Sequence, residues 1–243
     1  SENHSMKKML LSLVAISLFT ISAVSQNHWR FELNTGSGPT LGDFSNDDMN
    51  SEVNGFSEYG YFADLTARYY FSNWGVGIKA FSGGFNLDNS EYSKALATSL
   101  GAVDDNYYYT QTLGYFSFGT QVGVSYNFPL SEQLSLEPSF YFGFLNMIMP
   151  PDELIYHDGV STRTFRTEIA PAFGTIYTPG LRLNWKFHKR VGVSFNTEYL
   201  FASMTTQEIV GLDYDYQSTQ KVEYDKNLAP QAFQIGFGVF FVL

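Results

Sequence analysis

The sequence predicts an all-β chain, an eight-stranded antiparallel up-and-down transmembrane β-barrel with short periplasmic turns and four long external loops. Three observations predict it. Bulky apolar residues recur at every second position through eight segments. The connectors between those segments alternate short and long. Aromatics make up 18% of the 243 residues and charged residues only 16%, against about 25% charged in an average soluble domain.

The elements follow in chain order. Ser1–Ser5 precede Met6-Lys7-Lys8, a short basic stretch, and Met9–Phe19 is apolar. Ala23 and Ser25 then stand at −3 and −1 of a cut before Gln26. That is the pattern of a secretory signal peptide, and the apolar run is shorter than the ~20 residues a spanning helix needs. The expected organisation is a leader over 1–25, starting at Met6, and one barrel domain over 26–243.

Trp29, Phe31 and Leu33 alternate with Arg30, Glu32 and Asn34. Tyr59, Tyr61, Leu65, Tyr69 and Phe71 alternate with Gly60, Asp64, Thr66, Arg68 and Ser72. Val76, Ile78 and Ala80 alternate with Gly75, Gly77 and Lys79. Phe116–Phe128 sets Phe, Val and Tyr against Ser, Gly and Gln. Leu134–Phe144 sets Leu and Phe against Glu137, Ser139, Tyr141 and Gly143. Leu181, Leu183, Trp185 and Phe187 alternate with Arg182, Asn184 and Lys186. Val191–Phe201 sets its apolar residues against Gly192, Ser194, Asn196 and Glu198. Phe233–Leu243 sets Phe, Ile and Val against Gln234, Gly236 and Gly238. Strict period two is the signature of a strand with two unlike faces, and a tilted strand crosses a bilayer in roughly 9–11 residues.

Short connectors fall at Ser72-Asn73, Pro129–Gln133 and His188–Arg190. Long ones fall near Ser37–Phe56, Asp88–Asn106, Met147–Phe165 and Thr205–Ala229. A soluble barrel would point the bulky face inward. Eight strands enclose only enough room for side chains, and this aromatic load would overfill it. The apolar face is therefore expected outside, with Gly, Ser and a few charges inside. Trp29, Tyr69, Trp74, Trp185 and Phe187 near the turns, and Tyr59, Tyr61, Tyr199 and Phe201 near the loops, fit the aromatic girdles of both interfaces.

The inward charges are the candidate site, a lumen cluster of Arg30, Glu32, Asp64, Arg68, Lys79, Glu137, Arg182, Lys186 and Glu198. Its functional form is an ion path; its structural form is a salt-bridged plug. The plug is the expectation, because unpaired burial costs several kcal/mol per ion. Net charge is −10, and the acid excess lies in the loops. This disfavours nucleic-acid binding, which needs a basic face. Asp43–Asp48 is a weak candidate for Ca²⁺, without the loop spacing such sites use. The absence of cysteine excludes thiol chemistry and Cys-ligated metal. No cofactor or metal site is expected.

Asp158-Gly159 reads as a hairpin turn, so the fifth and sixth strands are expected to run on beyond the membrane there. A short helix is expected over Glu91–Leu100, and a protruding ribbon around Tyr214–Tyr224. His157, beside Ser161, Asp158 and Glu153, is the one histidine on the loop side that could serve a lipid-modifying enzyme. A hairpin tip preorganises such a group poorly, so no catalytic residue is assigned.

With its leader, its eight alternating segments and a final strand carrying Phe237, Val239 and Phe241, the chain resembles the small OmpA/OmpX-type outer-membrane barrels. It departs from them in ending on Leu243 rather than an aromatic. Gln26 and the Phe/Tyr-rich strands are also similar to the Bacteroidota outer-membrane β-barrel domain proteins, including the PorT-like group. The resemblance implies residence in the outer membrane, contact with lipid and lipopolysaccharide, and recognition of the last strand by the barrel-assembly machinery. It implies no shared catalytic residue. The expected role is a non-enzymatic scaffold that meets envelope partners through its loops, or serves as accessory subunit of an envelope or secretion complex. A small passive channel and a lipid A-modifying enzyme are the alternatives.

Overall fold

A computed structural model describes residues 27–45, 55–103, 106–110, 114–215 and 218–243. The leader, its cleavage site, and Asp47, Asp48 and Glu52 lie outside the described residues.

Eight long strands form a closed antiparallel ring: β1 (His28–Pro39), β2 (Ser57–Phe71), β3 (Trp74–Leu87), β5 (Tyr115–Tyr126), β6 (Leu134–Met149), β9 (Ala170–Trp185), β10 (Val191–Thr206) and β13 (Gln231–Val242). Each pairs with its chain neighbour in the ring. β13 returns to β1 through the register Arg30↔Val242 to Ser37↔Ile235, so no edge is left open. Closure is what allows strands to cross lipid, where an unpaired backbone group has no water to bond.

The strand faces divide as their alternation predicts. Leu33 is 62% exposed on the outer wall and Phe237 66%, while Glu32, Thr66 and Arg68 on the other parity are buried. Strands β1, β3 and β9 run further toward the loops than the apolar alternation suggests. β9 begins at Ala170 rather than near Leu181, and its early half carries small residues that blur the pattern. At the turn end, Ser72 takes a left-handed conformation (φ 59°) to close the two-residue turn between β2 and β3. Phe128 is not part of a continuous fourth strand. The strand stops at Tyr126, and Phe128–Pro129 pairs separately with Ser135 and Leu136.

Of the expected interior of Gly, Ser and charge, the charge is confined to the turn half of the barrel, while Gly83 and Ser117 keep small inward residues in the loop half as well. The loop half is filled by Phe85, Leu145, Met147, Ile176, Leu200 and Met204, all buried in one apolar cluster. These residues continue the inward parity of their strands toward the loops.

The long loops are also not open excursions. They supply β4 (Tyr107–Thr110), β7 (Glu153–His157), β8 (Thr162–Thr167), β11 (Ile209–Tyr214) and β12 (Thr219–Tyr224), which form a second sheet in the order β12-β11-β8-β7-β4. The fifth and sixth strands therefore do not run on to the Asp158-Gly159 turn as expected. β6 ends before Pro150-Pro151, and two prolines in succession cannot continue a hydrogen-bonded ladder. The hairpin beyond pairs with segments from the neighbouring loops. Helix α1 (Asn89–Ser99) starts at Asp88, whose carboxylate accepts from the Ser90 and Glu91 amides at 3.0 Å each, and is thus an N-cap. No described helix is long and apolar enough to cross a membrane.

Candidate functional site

The barrel positions two polar sites, one in its lumen and one under the cap.

The lumen site is built from inward positions of seven strands. Glu32 sits at its centre. Arg30 Nη2 lies 3.1 Å from Glu32 Oε2, Arg68 Nη1 2.6 Å from the same oxygen, and Arg182 Nε 3.1 Å from Oε1. Ser194 Oγ donates to Oε1 at 2.5 Å. Glu137 faces the same three arginines, with Arg30 Nη1 at 3.1 Å and Arg68 and Arg182 at 3.6 Å. Asn184 bridges the pair: its Oδ1 accepts from Arg30 and its Nδ2 donates to Glu137. Next along the axis, Lys79 Nζ donates to both Glu198 oxygens at 2.8 Å, and Arg182 Nη2 reaches Glu198 at 3.6 Å. Asp64 accepts from Asn34 and Thr66. Aromatic rings complete the enclosure. Arg30 stacks 3.8 Å from the Phe240 centroid, and Lys79 lies 4.7 Å from that of Tyr141.

Two glycines make room for this packing. A Cβ on Gly77 would lie 2.7 Å from Arg68 Cγ, and one on Gly123 2.5 Å from the Tyr141 ring. The alternating Gly residues of β3 and β5 are therefore seats for long inward side chains of the neighbouring strands.

Eight of the nine predicted lumen residues come together here, and all eight are buried. They comprise four cations and four carboxylates, so the network is formally neutral. Lys186 is the exception. β9 ends at Trp185, and Lys186 is exposed in the following turn at the barrel mouth. Parity alone could not reveal that the strand stops one residue short. A void of only ≈20 Å³ lies among Asp64, Lys79, Gln121 and Glu198, about the size of one water. Above it, Gln121 bonds to Thr178 at 2.7 Å, and the apolar layer follows. The arrangement can hold charge rigidly, and among the described residues its polar layer meets an apolar one on the loop side.

The cap site centres on Asp152, just after the proline pair and 8% exposed. Tyr92 of α1 donates to one carboxylate oxygen at 2.7 Å and Tyr109 of β4 to the other at 2.8 Å. The Asp152 amide donates to Thr167 Oγ1, and the Thr167 amide returns a bond to the Asp152 carbonyl. One residue thus ties a helix and two strands together over the loop end of the barrel. Burial pushes the Asp152 carboxyl above the usual carboxylate range, against the pull of the two tyrosine hydroxyls. Beside it, burial lowers the Lys226 ammonium to about 8, with the Asp152 charge opposing. Both residues line a ≈360 Å³ cleft with Tyr92, Phe165, Val222 and Tyr224. Composition gave no hint of this site, because its residues come from separate loops whose elements pair only in three dimensions.

A second polar cluster staples the cap sheet. Arg163 of β8 grips Asp213 of β11 with Nε and Nη2 at 3.1 Å, and Nη1 lies 3.3 Å from Asp215. Tyr156 of β7 donates to Asp213 at 3.1 Å. Bidentate Arg–carboxylate pairing fixes orientation as well as charge. The histidine considered for catalysis is engaged elsewhere: His157 Nδ1 accepts from the Gly159 amide, and Ser161 Oγ donates to Asp215. No three His, Asp or Glu side chains among the described residues converge as a metal site would require.

No family model and no curated protein matches the chain. Among solved structures, it is similar to a major outer membrane protein of Thermus thermophilus, at 11% identity over 88% of this chain and 99% of that one (TM-score 0.46). It is similar to Ail, the attachment invasion locus protein of Yersinia pestis, at 9% identity over 90% and 100% (TM-score 0.40). It is also similar to OprG of Pseudomonas aeruginosa, at 13% identity over 89% and 95% (TM-score 0.39). The fold assignment rests on the strand pairing of this chain, not on these likenesses.

Proposed function

We propose that the chain is a non-enzymatic integral outer-membrane barrel that carries a folded cap for contact with envelope proteins or surface polymers. The observation that carries this is the inversion of the barrel: charge is buried within, and a continuous apolar belt from Leu33 and Leu65 through Ile78, Val122 and Phe237 is exposed without. An apolar surface of that extent is a liability in water and a requirement in lipid. In this reading lipid and lipopolysaccharide cover the belt, and β13 is the strand the assembly machinery reads.

The scaffold role is supported by the cap. Its loops are tied down by Asp152 and Arg163, yet they present Tyr108, Val160, Ile169 and Tyr224 to solvent. Ordered aromatic and aliphatic side chains on a rigid frame suit partner binding, since little entropy is lost on contact. An accessory place in a secretion or envelope complex would use the same surface. The closed lumen weighs against a channel.

Two experiments test the proposal. Unboiled samples are expected to migrate differently from boiled ones on a gel, and equal migration would overturn the barrel. Cross-linking and pull-down from native membranes are expected to recover a stoichiometric partner that is lost on deleting 209–224. Recovery of the protein alone, or stable single-channel conductance in planar bilayers, would overturn the scaffold role.

A further inference from the structure

The turn end of the barrel opens into a vestibule of ≈810 Å³ that the scaffold role does not use. Its walls carry Lys186, Lys189, Arg190 and His28, and Arg30 is part of its floor. Among the described lining side chains, Glu132 is the acid that faces them. Amides of Asn73, Asn127 and Gln133 add neutral donors.

Arg30 is only 5% exposed. Its two Nη groups are committed to Glu32, Glu137 and Asn184, while its buried Nε has no hydrogen-bond partner. The network beneath is neutral, so nothing below the floor cancels the field of the cationic walls. Low-dielectric walls with an excess of one sign of charge, here Lys186, Lys189 and Arg190 against Glu132, concentrate counter-ions in the mouth.

We propose that this vestibule is a docking site for an acidic peptide segment of a soluble partner. The volume falls within the range of about 300–1,000 Å³ typical of binding sites. A peptide is favoured over a lipid headgroup by the direction of the lining. His28, Arg30 and Asn184 point into the barrel mouth, whereas Trp29, Trp74 and Trp185 are the residues exposed on the outer wall at this level. Headgroups meet the outer girdle; a flexible segment carrying several carboxylates can enter from the axis. Lys186, Lys189 and Arg190 on short turns then supply positive charge along an extended chain. The inference rests on the barrel reading above, which places these turns toward the periplasm.

The test uses the full chain folded in detergent and fluorescein-labelled hexaglutamate, with hexaglutamine as control. Hexaglutamate is expected to bind, hexaglutamine not. Binding is expected to weaken at least tenfold when salt rises from about 0.05 to 0.5 M, as the Debye length shrinks from above 10 Å toward 3 Å. The triple variant Lys186→Glu, Lys189→Glu, Arg190→Glu is expected to lose at least tenfold in affinity. Glu132→Lys is expected to tighten binding several-fold, which keeps the test decisive should the triple variant fold poorly. Absence of hexaglutamate binding, or binding unchanged by these substitutions, overturns the proposal. So does competition by phosphatidylglycerol micelles but not by unlabelled hexaglutamate, which would make the mouth a headgroup site. A gel heat-shift on the same sample separates the two readings. A shifted sample that does not bind refutes the docking site alone; an unshifted one refutes the barrel and the docking site with it.

Discussion

Removing Glu32 should destabilise the barrel more than any surface substitution. The carboxylate is fully buried and touches three guanidinium groups and the Ser194 hydroxyl. Glu32→Ala leaves Arg30, Arg68, Arg182 and Lys79 facing three carboxylates, so one positive charge is uncompensated in a closed lumen. Breaking a buried ion pair from one side costs about 3–5 kcal/mol, which is roughly two to four decades in the folding equilibrium at about 1.4 kcal/mol per decade. The assay is urea unfolding of protein folded into vesicles, followed by fluorescence. Trp29, Trp74 and Trp185 all sit on the lipid-facing wall and report its loss. Adding Arg68→Met to Glu32→Ala restores three cations against three carboxylates and should recover more than half of the loss. The exposed Lys221–Glu223 pair on β12 provides the control, where Glu223→Ala should leave the barrel transition unchanged. A Glu32→Ala transition within about 0.5 kcal/mol of wild type, the range of an inert surface change, would refute the view that the lumen is a tightly coupled ionic plug.

Gly123→Val should drive a side chain into the Tyr141 ring and cost about 1–3 kcal/mol by overpacking, measured by the same unfolding. Asp152→Ala should free α1 and β4 and raise protease cleavage within 88–110, while the gel heat-shift of the barrel persists. The pH dependence of that cap has a definite sign. The folded Asp152 carboxyl holds its proton more tightly than the unfolded one, because its value is raised. Its contribution is therefore fully present below the ordinary carboxylate range and is lost as pH rises through the raised value; Asp152→Asn should flatten that slope in cap proteolysis. The Lys226 amine should be acylated with a pH midpoint near 8, read by peptide mass mapping, and a midpoint at the ordinary lysine value of about 10.4 would refute its burial.

The faces of the eight strands were legible in the sequence because their period is local. Each outward Leu or Phe announces itself through its immediate neighbours, and the Asp158-Gly159 turn is a local signal too. The inward charges were legible as a set for the same reason. Their partners were not. Arg30 meets Glu137 across 107 positions and Lys79 meets Glu198 across 119, and which inward side chains share a level depends on how the ring closes. The apolar upper lumen lay on the correct parity throughout. It was not legible because alternation distinguishes two faces without saying which inward residues sit among charges and which beneath a cap.

The sequence by itself determined the architecture: strand number, antiparallel order, and an apolar wall turned outward, all set by side-chain alternation along single strands. Only the tertiary structure decided that the lumen is closed by a neutral ionic network below an apolar layer. It alone decided that Lys186 stands at the mouth, and that fragments of three loops assemble into one sheet held by Asp152 and Arg163. Those outcomes depend on contacts between residues far apart in the chain, and no local pattern encodes which of several short strands will pair.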